Sequence, residues 1–154
     1  MILHLGVLDV PYQLPPPTGK RRRKITAGTQ TTGDVAGWLE DKYHLFENFY
    51  QLHQEDIAGD LEHSLAGTLE NLLLGAPAAD PSQAFASATS QIEDRFKRFL
   101  SEKEMEKLGY PGVPTQAALR GVSHRFAHPY AKRAPRPSFI DTGLLQASMK
   151  SWID

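Results

Sequence analysis

The sequence predicts a mainly α (α+β) fold: a long helical hairpin with a short N-terminal strand, an extended basic arm, and a short C-terminal strand and helix. Three observations predict it. No proline lies between Pro17 and Pro77, and apolar residues recur there at helical spacing. A second proline-free stretch follows Pro81 and has the same spacing. Between the strand and the helices, prolines and adjacent cations leave no periodicity at all.

The chain divides into three predicted parts. Residues 1–10 form an N-terminal strand, because Leu3, Leu5 and Val7 alternate with His4 and Gly6. Residues 11–33 form an extended basic arm, which contains three consecutive prolines and the run Lys20–Lys24. Residues 34–154 form a helix-rich domain that ends in a C-terminal box at residues 136–152.

The first long helix is predicted from about Asp34 to Leu74. Thr31 and Thr32 supply capping hydroxyls, and Asp34 places a carboxylate in the first turn. Its apolar stripe falls within about 120° of a helical wheel and consists of Val35, Leu39, Tyr43, Phe46, Tyr50, Ile57, Leu61, Leu65 and Leu72. Because this stripe drifts around the helix, we expect a curve or a break, with Gly59 and Gly67 as the positions for a break.

A second helix is predicted from Pro81 to Leu108, and a third from Thr115 to Phe126 with Thr115 as its cap. The apolar side of the second helix carries Phe85, Ile92, Phe96, Phe99 and Leu100. The segment 128–137 is basic and broken by prolines. The last piece, 139–153, predicts a short strand, a turn at Asp141–Gly143 and a final helix.

The 154-residue chain has a net charge of −1, but the charge is strongly segregated. Residues 33–75 carry a net −8, whereas residues 1–32 and 111–154 each carry +4. Such a chain can pair basic surface with acidic surface of its own copies, although an acidic solvated helix face explains the middle segment equally well. The absence of cysteine excludes thiol catalysis and thiolate metal sites. No apolar run reaches the roughly 18 residues that cross a bilayer, so no membrane partner is expected.

Several candidate sites have competing explanations. His53, Asp56, Asp60 and His63 share one helical face that would suit a divalent cation, but a solvated or interface face is the preferred interpretation. Asp141-Thr142-Gly143 resembles the catalytic signature of retroviral-type aspartic proteases, but only eleven residues follow it, so a helix cap is preferred. The sequence contains no nucleophile elbow, phosphate loop or dinucleotide fingerprint. We therefore predict no catalytic residue, no resident metal and no cofactor.

The basic run is the candidate contact for acidic partners. Its members are Lys20, Arg21, Arg22, Arg23 and Lys24. A solvated arm or docking on an acidic partner is the preferred interpretation, and non-specific contact with packaged DNA is the alternative.

The C-terminal box resembles a stretch found in tailed-bacteriophage tail-completion and head–tail connector (neck) proteins, in which an apolar pair precedes Asp-Thr-Gly-x-Leu-x-x-Ser. The matching positions are Pro137, Ile140, Asp141, Thr142, Gly143, Leu145 and Ser148. In that family the box opens a helix that leads into a β-sheet lining a ring. The resemblance covers about 17 residues, and after the box this sequence leaves no room for a strand of useful length.

The resemblance implies a small, multi-copy, non-enzymatic structural subunit of the virion, made in the host cytoplasm. Its partners would be copies of itself in a ring and other neck, portal or tail proteins. The matching residues, together with Trp152, are then expected to form an interface. Two alternatives stay open: another virion or assembly component, such as a minor tail or capsid-associated protein, and a small nucleic-acid-binding regulator.

Overall fold

The computed structural model describes residues 2–12, 30–122 and 133–154. Within these ranges the elements are β1 (Leu3–Val7), α1 (Thr32–Tyr43), α2 (Leu45–Leu73), α3 (Pro81–Ala84), α4 (Ala86–Ser101), α5 (Glu104–Lys107), α6 (Gln116–Leu119), α7 (Leu144–Ser148) and β2 (Met149–Ile153). The two strands pair into a small antiparallel sheet. The predicted fold class, mainly α with a small β component, is confirmed.

The core lies where α2 and α4 pack against each other as a helical hairpin. Phe49, Phe96 and Phe99 are fully buried at its centre. The Phe49 and Phe96 rings meet edge to face with centroids 5.2 Å apart, and Phe46 stacks on Phe96 at the same distance. Aromatic pairs in these arrangements add about 0.5–1.5 kcal/mol beyond the burial of their area. The predicted apolar side of the second helix is therefore correct.

The first long helix does not break at Gly59 or Gly67, as the sequence predicts, but at His44. His44 takes left-handed backbone angles, φ 50° and ψ 49°, between α1 and α2. The Glu40 carboxylate accepts hydrogen bonds from the backbone N–H groups of Phe46 (2.7 Å) and Glu47 (3.3 Å) at the start of α2. These bonds supply the partners that the interrupted helix would lack.

The break shifts the helical wheel, so part of the predicted stripe is wrong. In α2 the buried residues are Leu45, Phe49 and Ile57, whereas Tyr50 is exposed. Gly59 and Gly67 lie inside the continuous helix, at a cost of about 1 kcal/mol each relative to alanine. Packing against α3 and α4 offsets that cost, and hydroxyl groups from this half of α2 donate to the carbonyl of Ala84.

The start of α1 has the predicted cap. The Thr31 hydroxyl accepts from the Asp34 N–H (3.2 Å), and the Asp34 carboxylate accepts from the Thr31 N–H (3.0 Å). Thr32 is buried, and its hydroxyl donates to the Leu8 carbonyl and accepts from the Val10 N–H. These bonds attach the N-terminal strand to α1.

The predicted arm at 11–33 has fixed ends. The Tyr12 N–H donates to the Gln30 carbonyl at 2.9 Å, and Pro11 and Thr31 form an isolated antiparallel bridge. The described residues on either side of 13–29 are therefore neighbours. The run Lys20–Lys24 lies outside the described residues.

The second predicted helix, 81–108, is three helices, because the chain turns at Phe85 and again at Lys103, whose φ is 60°. The third has the predicted cap, since the Thr115 hydroxyl accepts from the Ala118 N–H. It ends at Leu119, earlier than predicted, because Gly121 adopts a φ of 62° and the Val122 N–H donates back to the Ala117 carbonyl. This is a glycine-type helix stop.

The C-terminal prediction of a strand, a turn and a final helix is wrong in its order. Residues 139–140 form no strand, and the helix α7 is only five residues long. It is followed by β2, which pairs with β1 in a register that places Leu3 opposite Ile153 and Val7 opposite Met149. Met149 and Ser151 point inward, whereas Lys150 and Trp152 are exposed. The prediction that no strand of useful length can follow the Asp-Thr-Gly turn and its helix is therefore wrong, because β2 occupies Met149–Ile153.

Candidate interaction surfaces

The C-terminal box is held in place by Arg136. Its guanidinium donates to the carbonyls of Ile140 (2.6 Å) and Val122 (3.1 Å) and lies 3.2 Å from the Asp141 carboxylate. Pro137, beside it, is half-buried. Arg136 thus holds the residues before the Asp-Thr-Gly turn by charge-assisted hydrogen bonds to two carbonyls, and it contacts the turn itself through the ion pair with Asp141.

The turn itself starts α7. The Thr142 hydroxyl accepts from the Leu144 N–H at 3.3 Å, and Gly143 has a φ of 77°, which glycine adopts without a steric penalty. Of the two predicted capping residues, it is Thr142 that bonds to the helix start, while Asp141 pairs with Arg136.

Much of the box faces the chain's own core. Leu145 is 3% exposed, and Ser148 is buried with its hydroxyl donating to the Leu145 carbonyl. Ile140 packs against the core from its edge. The expectation that Leu145 and Ser148 contact a partner is therefore wrong, because their surfaces are already covered within one copy.

Trp152 is the large apolar residue of the box that stays at the surface. It is 48% exposed on the outer face of the sheet and stacks on the His4 ring at 5.1 Å and 9°. Its indole also lies over Gly6, where a Cβ atom would come within 3.2 Å of the ring. Trp152 thus remains available to a partner through one ring face and edge.

The predicted metal-binding face of α2 is occupied by an arginine. Arg95 of α4 donates to Asp56 (3.0 Å) and to Asp60 (2.8 Å). His53 turns towards Glu104 of α5 at 3.1 Å, and His63 contacts the Gly59 carbonyl instead. The four residues therefore do not converge on one ion.

Among the described residues, a different group does bring potential metal ligands together. Its members are Glu40, His44 and Glu47, and their ligand atoms lie within 4.8 Å of one another. Both oxygens of Glu40 already accept backbone N–H bonds at the start of α2. This group sits at the break between α1 and α2, where the bonds of Glu40 give it a structural role.

The C-terminal end of α2 and the residues that follow it expose several leucines. Every residue from Leu69 to Asp80 is exposed. Leu65, Leu69, Leu72, Leu73 and Leu74 make up this surface, which we call the leucine end. Leu73 is 88% exposed. Contiguous exposed apolar residues mark protein–protein contacts. The run Leu72–Leu74 before Gly75 is the sequence signal for this surface, whereas the helical-wheel pattern predicts Leu72 on a packed face.

An apolar groove lies between β1 and α2. It has a volume of about 410 Å³ and is lined by Leu3, Leu5, Tyr50, Gln54, Ile57, Ala58 and Leu61. Leu61 lies one helical turn before Leu65, so the groove leads towards the leucine end. Sequence reasoning did not find this groove, because its two walls are more than forty residues apart in the chain.

In the part of the chain that the structure describes, no helix combines the length and the apolar character needed to cross a bilayer. Compared with known protein families, curated protein sequences and solved structures, the chain has no match.

Proposed function

We propose that this chain is a non-enzymatic structural subunit of a tailed-phage virion, forming part of the neck or tail-completion ring that joins head and tail. The leucine end carries the proposal. Four exposed leucines at the end of α2, followed by the exposed Leu74, are costly for a free monomer, and burial of that surface against a neighbouring subunit removes the cost.

Two further features support it. The order of box, α7 and β2 agrees with the resemblance, which implies a helix that leads into a β-sheet. The acidic segment 33–75 and the basic segments on either side give each copy surfaces of opposite charge. Opposite charges on one chain favour head-to-tail contacts between identical copies, and such contacts form a ring when the rotation between neighbours closes.

The test uses two leucines of the same helix with equal exposure. Leu72 lies in the leucine end and Leu52 on another face of α2, and each is 48% exposed. We expect Leu72→Asp to weaken association of copies at least ten-fold, since burial of a leucine contributes about 1.5–3 kcal/mol and tenfold in affinity is about 1.4 kcal/mol. Leu52→Asp should leave association unchanged.

Sedimentation velocity over a concentration series measures this association. The virion assignment needs a second readout: mass spectrometry of purified particles from the phage that encodes the chain, and head–tail joining in extracts that lack it. A wild-type chain that stays monomeric, does not occur in particles and is not needed for joining would contradict the proposal.

A further inference from the structure

The two outer edges of the small sheet differ. Ile2 and Asp154 exchange backbone hydrogen bonds, and the Leu8 N–H donates to the Ser148 carbonyl. In an antiparallel pair the hydrogen-bonded positions alternate. The backbone N–H and C=O groups of His4 and Gly6 therefore also point towards β2. The N–H and C=O groups of Leu3, Leu5 and Val7 therefore point away from β2, towards the open side of β1.

The edge of β2 is closed by α4. The backbone N–H of Ser151 points away from β1 and donates to the Glu93 carboxylate at 3.2 Å. The Ser151 hydroxyl donates to the Thr89 carbonyl. Lys150 adds an ion pair to Glu93. On β1, by contrast, Leu3 and Leu5 have no hydrogen-bond partner for these outward groups among the described residues. An unpaired edge is a template for another strand.

The groove defined above lies along this open edge. An extended segment placed in it would pair with the backbone of Leu3 and Leu5 and set alternate side chains against Ile57 and Leu61. The exposed carboxylates of Glu47, Glu55 and Glu62 flank it on α2. The occupant that suits this site is extended, partly apolar and basic.

We propose that the groove binds residues 13–29 of a second copy of this chain; the inference rests on the proposed function in requiring that copies meet. That segment carries the five adjacent cations Lys20–Lys24 and apolar residues on both sides of them, so its charge complements the acidic flank.

Residue-resolved amide hydrogen exchange on the full chain tests this. In dilute protein the Leu3 and Leu5 amides should exchange fast, and His4 and Gly6 slowly. At assembly concentrations Leu3 and Leu5 should slow at least ten-fold while His4 and Gly6 stay as they were. Addition of a synthetic peptide of residues 13–29 to dilute protein should give the same protection, and a peptide with Gln at positions 20–24 should bind at least ten-fold more weakly.

The matched variants are Ala58→Arg and Ala66→Arg, both at exposed positions of α2. Ala58 lines the groove, so arginine there should abolish the protection by bulk and by charge. Ala66 does not line the groove, so Ala66→Arg should leave peptide binding to dilute protein unchanged. The two variants are compared by peptide binding and not by self-association, because Ala66 lies beside Leu65 of the leucine end. Equal effects of the two variants, or no peptide binding at all, would overturn the inference.

Other outcomes separate this inference from the proposed function. Copies that associate while Leu3 and Leu5 remain fast refute the groove contact and leave the assembly role standing. If the peptide binds in the groove but the chain occurs in no virion, the proposed virion function is refuted and the groove contact is not. Protection that is already complete in the dilute monomer would assign the groove to the chain's own segment and refute the second copy.

Discussion

The pairing of Arg136 with Asp141 gives the sharpest distinction between a structural and a catalytic Asp-Thr-Gly turn. Asp141→Asn keeps the volume and one carbonyl oxygen for Arg136 but removes the charge. Both side chains are about one-quarter exposed, 24% and 23%, so solvent screens part of the ion pair. We expect the free energy of unfolding to fall by about 1 kcal/mol, which lowers Tm by about 2–4 °C in a chain of this size.

Arg136→Met is expected to cost more. It removes the donors to the Val122 and Ile140 carbonyls, together with the ion pair to Asp141, and leaves a half-buried carboxylate without this partner. At about 1 kcal/mol for each lost hydrogen bond and up to about 1 kcal/mol for the partly exposed ion pair, the loss is about 2–3 kcal/mol, or about 4–12 °C in Tm. Adding Asp141→Asn to Arg136→Met should then change little further, because the two residues act on one interaction.

Thermal and urea unfolding followed by circular dichroism measure these losses, and head–tail joining measures the function proposed above. On the structural interpretation, Asp141→Asn joins heads to tails nearly as well as the wild type, and Arg136→Met is the weaker variant. If Asp141→Asn abolishes joining with Tm unchanged while Arg136→Met is tolerated, Asp141 has a chemical role and the structural interpretation is wrong.

Three other predictions concern charge. Arg95→Met should lower the free energy of unfolding by about 3–5 kcal/mol, measured by urea denaturation, because it leaves the largely buried Asp60 without its partner; changing Asp60 to Leu as well should recover most of the loss. The pKa of Asp9 lies below its ordinary value of 3.8 because the carboxylate accepts bonds from the Thr31 hydroxyl and a backbone N–H. The ionised Asp9 carboxylate therefore adds to the free energy of unfolding above pH 3.8, and this contribution is lost as the pH falls through the lower pKa of the folded state. We expect Asp9→Asn to lower the free energy of unfolding at pH 7 and to have no effect in acid. Urea denaturation at a series of pH values measures this difference. If Lys20–Lys24 contact packaged DNA, duplex affinity should fall steeply with salt and replacement of the five by alanine should flatten that slope; an unchanged slope would assign the segment to protein docking.

Features that depend on neighbours in sequence could be predicted from the sequence. The Thr31 and Thr115 caps lie within three residues of the N–H groups they accept from. The apolar side of α4 repeats at helical spacing without interruption, and Phe96 and Phe99 are buried as expected. The run of leucines at 72–74 and the segregation of charge are likewise visible in the letters alone.

Features that join distant parts of the chain could not. The helix α1 ends at His44, where the Glu40 carboxylate accepts a backbone hydrogen bond from the start of α2. Glycine is the residue that sequence rules favour for a break, yet Gly59 and Gly67 lie within α2, which packing stabilises. The aspartates of the predicted metal face are taken by Arg95, which is 35 residues from Asp60. A helical wheel shows what a face contains but not which side chain from another element arrives there.

The sequence by itself determined the mainly helical class, the helix caps at Thr31 and Thr115, the aromatic face of α4 and the opposed charges, because each follows from local propensity and periodicity. Tertiary structure alone decided that residues 149–153 are a strand, since a five-residue segment takes that form only when β1, about 150 residues away, offers its hydrogen bonds. The same pairing fixed which edge of the sheet α4 closes and which stays open. That asymmetry, and the groove beside it, arise from long-range contacts that no local pattern encodes.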